Sequence, residues 1–163
     1  MVLFTKKILS LTLFLTFVFT TTSFANDGYN LWLQYTKIEN KKLLKEYTET
    51  IRGIESIGNS ETIKVSKDEL NKAFSGLFGP EYLLKQNDSG NNTLIIGSES
   101  NLAKQIRSKL KKEYSQIEKD GFVIKQIQVD NKTHIVITGK TDYGVLYGVF
   151  RFLRELQTHK SIS

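Results

Sequence analysis

The chain has 163 residues, 39% of them apolar and 25% charged, a formal charge of +6, one proline, 11 glycines and no cysteine. This length allows one domain and excludes a catalytic barrel of about 250 residues, and the composition is neither collagen-like nor that of a disordered chain. Without cysteine there is no disulfide scaffold, thiolate zinc site or cysteine nucleophile.

Lys6 and Lys7 precede Ile8 to Phe19, a run of 12 residues with nine apolar members, and Ser23-Phe24-Ala25 follows a short polar stretch. These are the three parts of a secretory leader, with cleavage expected after Ala25. The apolar run is too short for a membrane span, which needs about 20 residues. The expected mature chain has no membrane partner, is exported to the periplasm or beyond, and keeps a charge of +4 once the two leader lysines are gone. Its basic residues, such as Lys41, Lys42, Lys111, Lys112, Arg151 and Arg154, alternate with acids, as on a solvated helix face. That pattern lacks the one-signed stripe with interleaved aromatics of a nucleic-acid interface.

Along the mature chain, Tyr29 to Tyr35 reads as a buried strand because it is short and dense in aromatic and aliphatic residues. Asn40 to Tyr47 suits a short helix, and the segment through Ile51, Ile54 and Ile57 suits either more helix or an irregular strand. Ser60 caps an expected helix whose apolar stripe, Ile63, Leu70, Phe74, Leu77 and Phe78, stops at Gly79-Pro80. Gln86 to Asn92 is a polar loop. Thr93 to Ser98 then reads as a strand leading into a helix capped by Ser100 and continuing through Lys112. Gly121 to Val129 and His134 to Thr138 alternate as two strands of a hairpin around Asp130-Asn131-Lys132.

Thr141 or Asp142 starts the last helix, with Leu146, Val149, Phe150, Leu153 and Leu156 expected to face inward. Gly144 and Gly148 recur at four residues, which would let this helix approach the sheet closely. The order of elements predicts an α/β (α+β) domain, a mixed sheet with helices on one or both faces, from Asn26 to Thr158, followed by a tail over 159–163.

Chemistry is sparse. His134 and His159 lie far apart without metal-ligand spacing, and His134, at alternating strand spacing, reads as a packed or edge residue. Ser75 and Ser98 lack the Gly-x-Ser-x-Gly elbow and a nearby histidine. Gly76 to Gly79 and Gly144 to Gly148 carry neither a P-loop nor a dinucleotide turn. No acidic pair stands in an apolar setting, so no catalytic residue, metal ligand or cofactor is assigned. Asn87, Asn91 and Asn131 begin glycosylation sequons. Trp32 and Tyr35 are the candidates for substrate binding, by stacking on a sugar ring; for Trp32, a place in the core is the alternative.

Asp27-Gly28-Tyr29-Asn30-Leu31-Trp32-Leu33-Gln34-Tyr35 resembles the opening of mature α-glucuronidases of glycoside hydrolase family 67, with Gln34 where arginine is usual. Ile137 to Thr158, containing Thr141-Asp142-Tyr143-Gly144-Val145-Leu146-Tyr147-Gly148, is similar to the end of that family's N-terminal domain, with Arg151 where histidine is common. Leu43-Leu44, Tyr47, Ser60-Glu61-Thr62 and Ser75 to Gly79 fall in the family's order between them. Asp142 to Leu156 also bears a weaker likeness to the N-terminal domain of β-N-acetylhexosaminidases. The resemblance implies a larger enzyme in which a (β/α)8 barrel, as a further region or partner chain, removes 4-O-methylglucuronic acid from glucuronoxylan oligosaccharides with inversion. The acid and base of that barrel have no counterpart among these residues, so the chain alone is expected to be inactive, either as a truncated or split product or as a stand-alone binding module.

Overall fold

The computed structural model describes residues 34–162 except Leu83 and Ser89. The expected leader, Trp32 and most of the expected first strand lie outside the described residues; Gln34 and Tyr35 have no regular secondary structure.

Helix α1 spans Lys41–Thr50. It begins where the Asn40 side chain accepts hydrogen bonds from the backbone N–H groups of Lys42 and Leu43, filling two of the donors that every helix start leaves unpaired. The ambiguous segment after it is strand β1, Gly53–Ile57. Helix α2, Glu61–Phe78, starts at its Ser60 cap and ends at Gly79, whose φ of 100° suits glycine. Strand β2 is the two residues Lys85–Gln86, the second of which opens the stretch expected to be loop.

Strand β3, Thr93–Ser98, is buried throughout. The helix expected from Ser100 is instead two short pieces, α3 at Lys104–Lys109 and α4 at Lys111–Tyr114, separated at Leu110. The residue before α3 is Ala103, which has no side chain to cap it, and Ser98 to Asn101 close a turn of their own. Strands β4, Phe122–Val129, and β5, Lys132–Gly139, form the expected hairpin. Its loop is Asp130-Asn131, both at positive φ, the conformation of a two-residue turn matched to strand twist. Helix α5, Asp142–Gln157, takes Thr141 as its cap.

The five strands lie in the order β2-β1-β3-β5-β4. All neighbouring pairs are parallel except the β4–β5 hairpin. Alternation along the strands sends side chains to two cores. Leu94, Ile96, Ile135 and Ile137 meet α1, α2 and α5 on one face. Ile95, Val136, Val123 and Ile127 meet Ile106 of α3, Tyr114 of α4 and Leu110 between them on the other. Helices on both faces of a mixed sheet give an α/β domain, and the described residues contain no barrel.

The glycines of α5 act as their spacing predicts. A Cβ on Gly148 would lie 2.6 Å from the Ile137 side chain, and one on Gly144 would lie 2.5 Å from the Gly121 carbonyl oxygen. The inward face of α5 is therefore turned toward Val145, Gly148, Val149, Phe152 and Leu153, and Phe150, expected inside, is 38% exposed. Bringing two glycines against the sheet rotates Phe150 toward solvent, since residues two positions from Gly148 lie about 200° around the helix. After α5 the chain is held down: the Tyr47 hydroxyl donates to the Lys160 carbonyl, and Ser161 and the Ile162 backbone donate to Glu46.

Candidate functional site

The polar side chains buried in the domain serve its architecture. Tyr35 is half-buried against Gly76, where a Cβ would lie 2.6 Å from Tyr35 Cβ. The Tyr35 hydroxyl donates to Glu69 Oε1 at 2.5 Å, giving a partner to a carboxylate that is 7% exposed. At the tops of the two long helices, Ser60 Oγ donates to Asp142 Oδ2 at 2.7 Å. Below the sheet's second face, Tyr114 and Thr138 hydroxyls share a buried bond of 2.9 Å. Burial raises the Tyr114 phenol above its ordinary range against the lowering effect of that bond. Burial likewise pushes Tyr47 and Tyr82 up to about 12, so each stays a hydrogen-bond donor at neutral pH.

The two histidines do not meet. His134 is buried in β5, which lies between β3 and β4, so it is a packed residue on an interior strand. It stands opposite Thr93 on one side and Ile127 on the other, and its Nδ1 has no hydrogen-bond partner. Burial holds its pKa below the ordinary value, opposed by the charge of Glu55 and reinforced by Lys132. His159 is exposed beyond α5. Ser98 closes β3 at the end away from His134, and its hydroxyl accepts from Asn101 instead. Ser75 is on the exposed side of α2. Among the described residues no group of three or more histidine, aspartate or glutamate side chains is arranged to hold a metal ion.

Carboxylates near cavities are paired or rim-exposed. Lys125 bonds Glu113, and Lys37 bonds Glu81 at 2.9 Å; each hydrogen bond holds its carboxyl below the usual range. A shallow groove of about 680 Å³ runs between Ile117 to Phe122 and Tyr147, with Glu118 and Asp120 at its rim. Asp120 accepts a hydrogen bond from Thr141, the cap of α5, so one of those two acids is committed to the helix start. The groove opens beside the outer face of α5, where Tyr143 and Tyr147 are 59% and 51% exposed.

Residues 31–152, three quarters of the chain, are matched by the family model for the glycosyl hydrolase family 67 N-terminus. The chain belongs to that family. No curated protein matches it. The family 67 N-terminal domain here has its matched region running from just before the first described residue into α5, so it takes in the whole five-stranded sheet.

The sequence signals that led toward the family sit at structural positions. Ser60 and Thr141 are helix caps, Gly144 and Gly148 are close contacts, and Tyr35 is a packing and hydrogen-bonding residue in the family 67 domain. Sequence reasoning missed the outward stripe of Tyr143, Tyr147 and Phe150. Reading Val145, Val149 and Phe152 together with the two glycines as the inward face would have placed all three aromatics on the opposite side.

Proposed function

We propose that the chain is the non-catalytic N-terminal domain of an exported α-glucuronidase acting in glucuronoxylan degradation, a truncated or split product whose (β/α)8 catalytic region is supplied outside these residues. The observation that carries this reading is the family match across the entire sheet. The three-part leader at residues 1–25 supports export.

The chemistry of the domain supports the division of labour. Glycoside hydrolysis with inversion needs two carboxyl groups roughly 6.5–9.5 Å apart across a sugar ring, one held protonated. Here Glu69, Asp142, Glu81 and Glu113 hold a tyrosine, a helix cap and two lysines in place. The role left to such a domain is to fold independently and to pack beside the region that carries the acid and base. Incubating the purified chain with aldouronic acids should release no glucuronic acid, and adding a family 67 catalytic region should leave the turnover of that region as the only activity. Turnover by the chain alone, retained through repeated purification, overturns the reading.

A further inference from the structure

The positive charge of the domain is gathered on one face. Leu102, Ile106, Leu110 and Tyr114 recur every four residues and turn inward onto β3, β4 and β5, so the residues between them point to solvent. From Lys104 to Tyr114 these are Lys104, Arg107, Lys109, Lys111 and Lys112, all exposed, against the single acid Glu113, a net +4. Glu113 is itself bonded to Lys125 of β4, and none of the five bases forms a salt bridge among the described residues. The helices on the opposite face of the sheet hold no such excess. Helix α2 carries three bases and three acids, α5 two of each, and α1 three bases and two acids.

The patch is charged without being apolar. None of the large hydrophobic side chains exposed among the described residues lies on it. It therefore lacks both the aromatic platforms on which nucleic-acid bases stack and the apolar stripe by which a surface helix enters a membrane. Nor does it suit a permanent protein contact, whose centre is depleted in charged residues, lysine included. A catalytic region packed on another face leaves this one open to solvent.

Such a face recognises charge spread along a polymer. One exposed ion pair contributes little, because water screens it and the long side chain loses freedom. Several lysines meeting successive carboxylates of one chain do more, since the first contact raises the effective concentration of the next. Uronic acid groups recur along an acidic polysaccharide and are ionised at neutral pH, which makes that polymer the complement in sign.

We propose that the outer face of α3 and α4 is a docking surface for an acidic polysaccharide, whose uronate carboxylates pair with Lys104, Arg107, Lys109, Lys111 and Lys112. Glucuronoxylan as that polymer rests on the function proposed above; the surface itself does not. The contact is made by charge, unlike the ring stacking expected of Tyr35.

Binding of the purified chain to immobilised glucuronoxylan and to immobilised polygalacturonate, read at about 0.15 M salt, tests it. Binding should saturate, weaken as salt rises, and be lost on glucuronoxylan whose carboxylates are reduced to alcohols. Free glucuronic acid at equal carboxylate concentration should compete at least about tenfold less well than the soluble polymer. Lys104→Glu, Arg107→Glu and Lys111→Glu together should abolish binding with the circular dichroism unchanged. Glutamine at the same three positions should weaken it at least about tenfold. The charge-matched set Lys41→Glu, Lys42→Glu and Lys45→Glu on α1 should weaken it far less. Failure to bind either polymer, equal binding of the carboxyl-reduced form, equal losses from the two glutamate sets, or binding to RNA or anionic vesicles alone overturns the proposal. Binding to polygalacturonate but not glucuronoxylan upholds the surface and overturns glucuronoxylan as its polymer, whatever the turnover assay gives.

Discussion

Ser60 and Asp142, 82 positions apart in the chain, are joined by a 2.7 Å hydrogen bond that ties the first turn of α2 to the first turn of α5. Ser60 Oγ donates to Asp142 Oδ2 while accepting from the Ile63 backbone N–H at 3.2 Å, so one hydroxyl both caps its own helix and positions the next. Ser60→Ala should therefore cost about 1–2 kcal/mol, the sum of a lost cap and an unpaired acceptor. A double-mutant cycle with Asp142→Ala, read by urea denaturation, should show that the two losses are coupled; strict additivity would mean that the bond contributes nothing.

The close approach of α5 to the sheet makes two similar substitutions unequal. At Gly148 a new methyl meets the Cγ2 methyl of the buried Ile137 side chain, whereas at Gly144 it meets the Gly121 carbonyl oxygen, which is backbone and can give way only by moving the chain. Both Gly→Ala changes overpack the junction, at about 1–3 kcal/mol, and Gly144→Ala should be the more damaging. Comparing their denaturation midpoints checks the order, and a more stable Gly144→Ala would show that helix propensity outweighs the contact.

Acid should loosen the domain through His134. Its folded pKa lies below the ordinary value because burial disfavours the imidazolium, so the unfolded chain takes up the proton first as pH falls. The stability tied to the neutral ring is complete above the unfolded pKa of about 6.5 and declines below it until the folded ring also titrates. The slope cannot exceed about 1.4 kcal/mol per pH unit for one proton. Urea midpoints measured between pH 7.5 and 5 should fall for the native chain and fall less for His134→Gln; parallel declines would assign the sensitivity to other groups.

Tyr35→Phe should cost about 1–3 kcal/mol, because it leaves the buried Glu69 without the hydroxyl that satisfies it. Tyr35→Phe with Glu69→Gln should recover part of the loss, since a neutral amide is less costly to leave short of partners than a carboxylate. Thermal denaturation of the single and double variants checks this. A Tyr35→Phe chain as stable as the native one, with altered response to xylo-oligosaccharides, would assign the hydroxyl to ligand binding.

Much of the domain was legible locally. Helix caps at Asn40, Ser60 and Thr141, the stop at Gly79 and the Asp130-Asn131 turn depend on residues within a few positions of each other, and each ended up where its chemistry points. The ambiguous Ile51 to Ile57 segment became a strand only because Ile54 and Ser56 of β1 pair with Leu94 and Ile96 of β3, some 40 residues away. Strand β2 exists for the same reason, since two residues acquire strand geometry only from a neighbour.

The candidate site divides in the same way. The sequence alone determined a cysteine-free chain of α/β class, its family, and the glycine pair that lets the last helix sit close to the sheet. Only the tertiary structure decided that Tyr35 is spent on Glu69, that His134 is sealed in the interior strand, and that Phe150 joins Tyr143 and Tyr147 outside. Caps and turns are set by bonds between near neighbours. The facing of a helix and the partner of a buried polar group are set by segments that meet only after the sheet has formed, and no spacing within one segment encodes them.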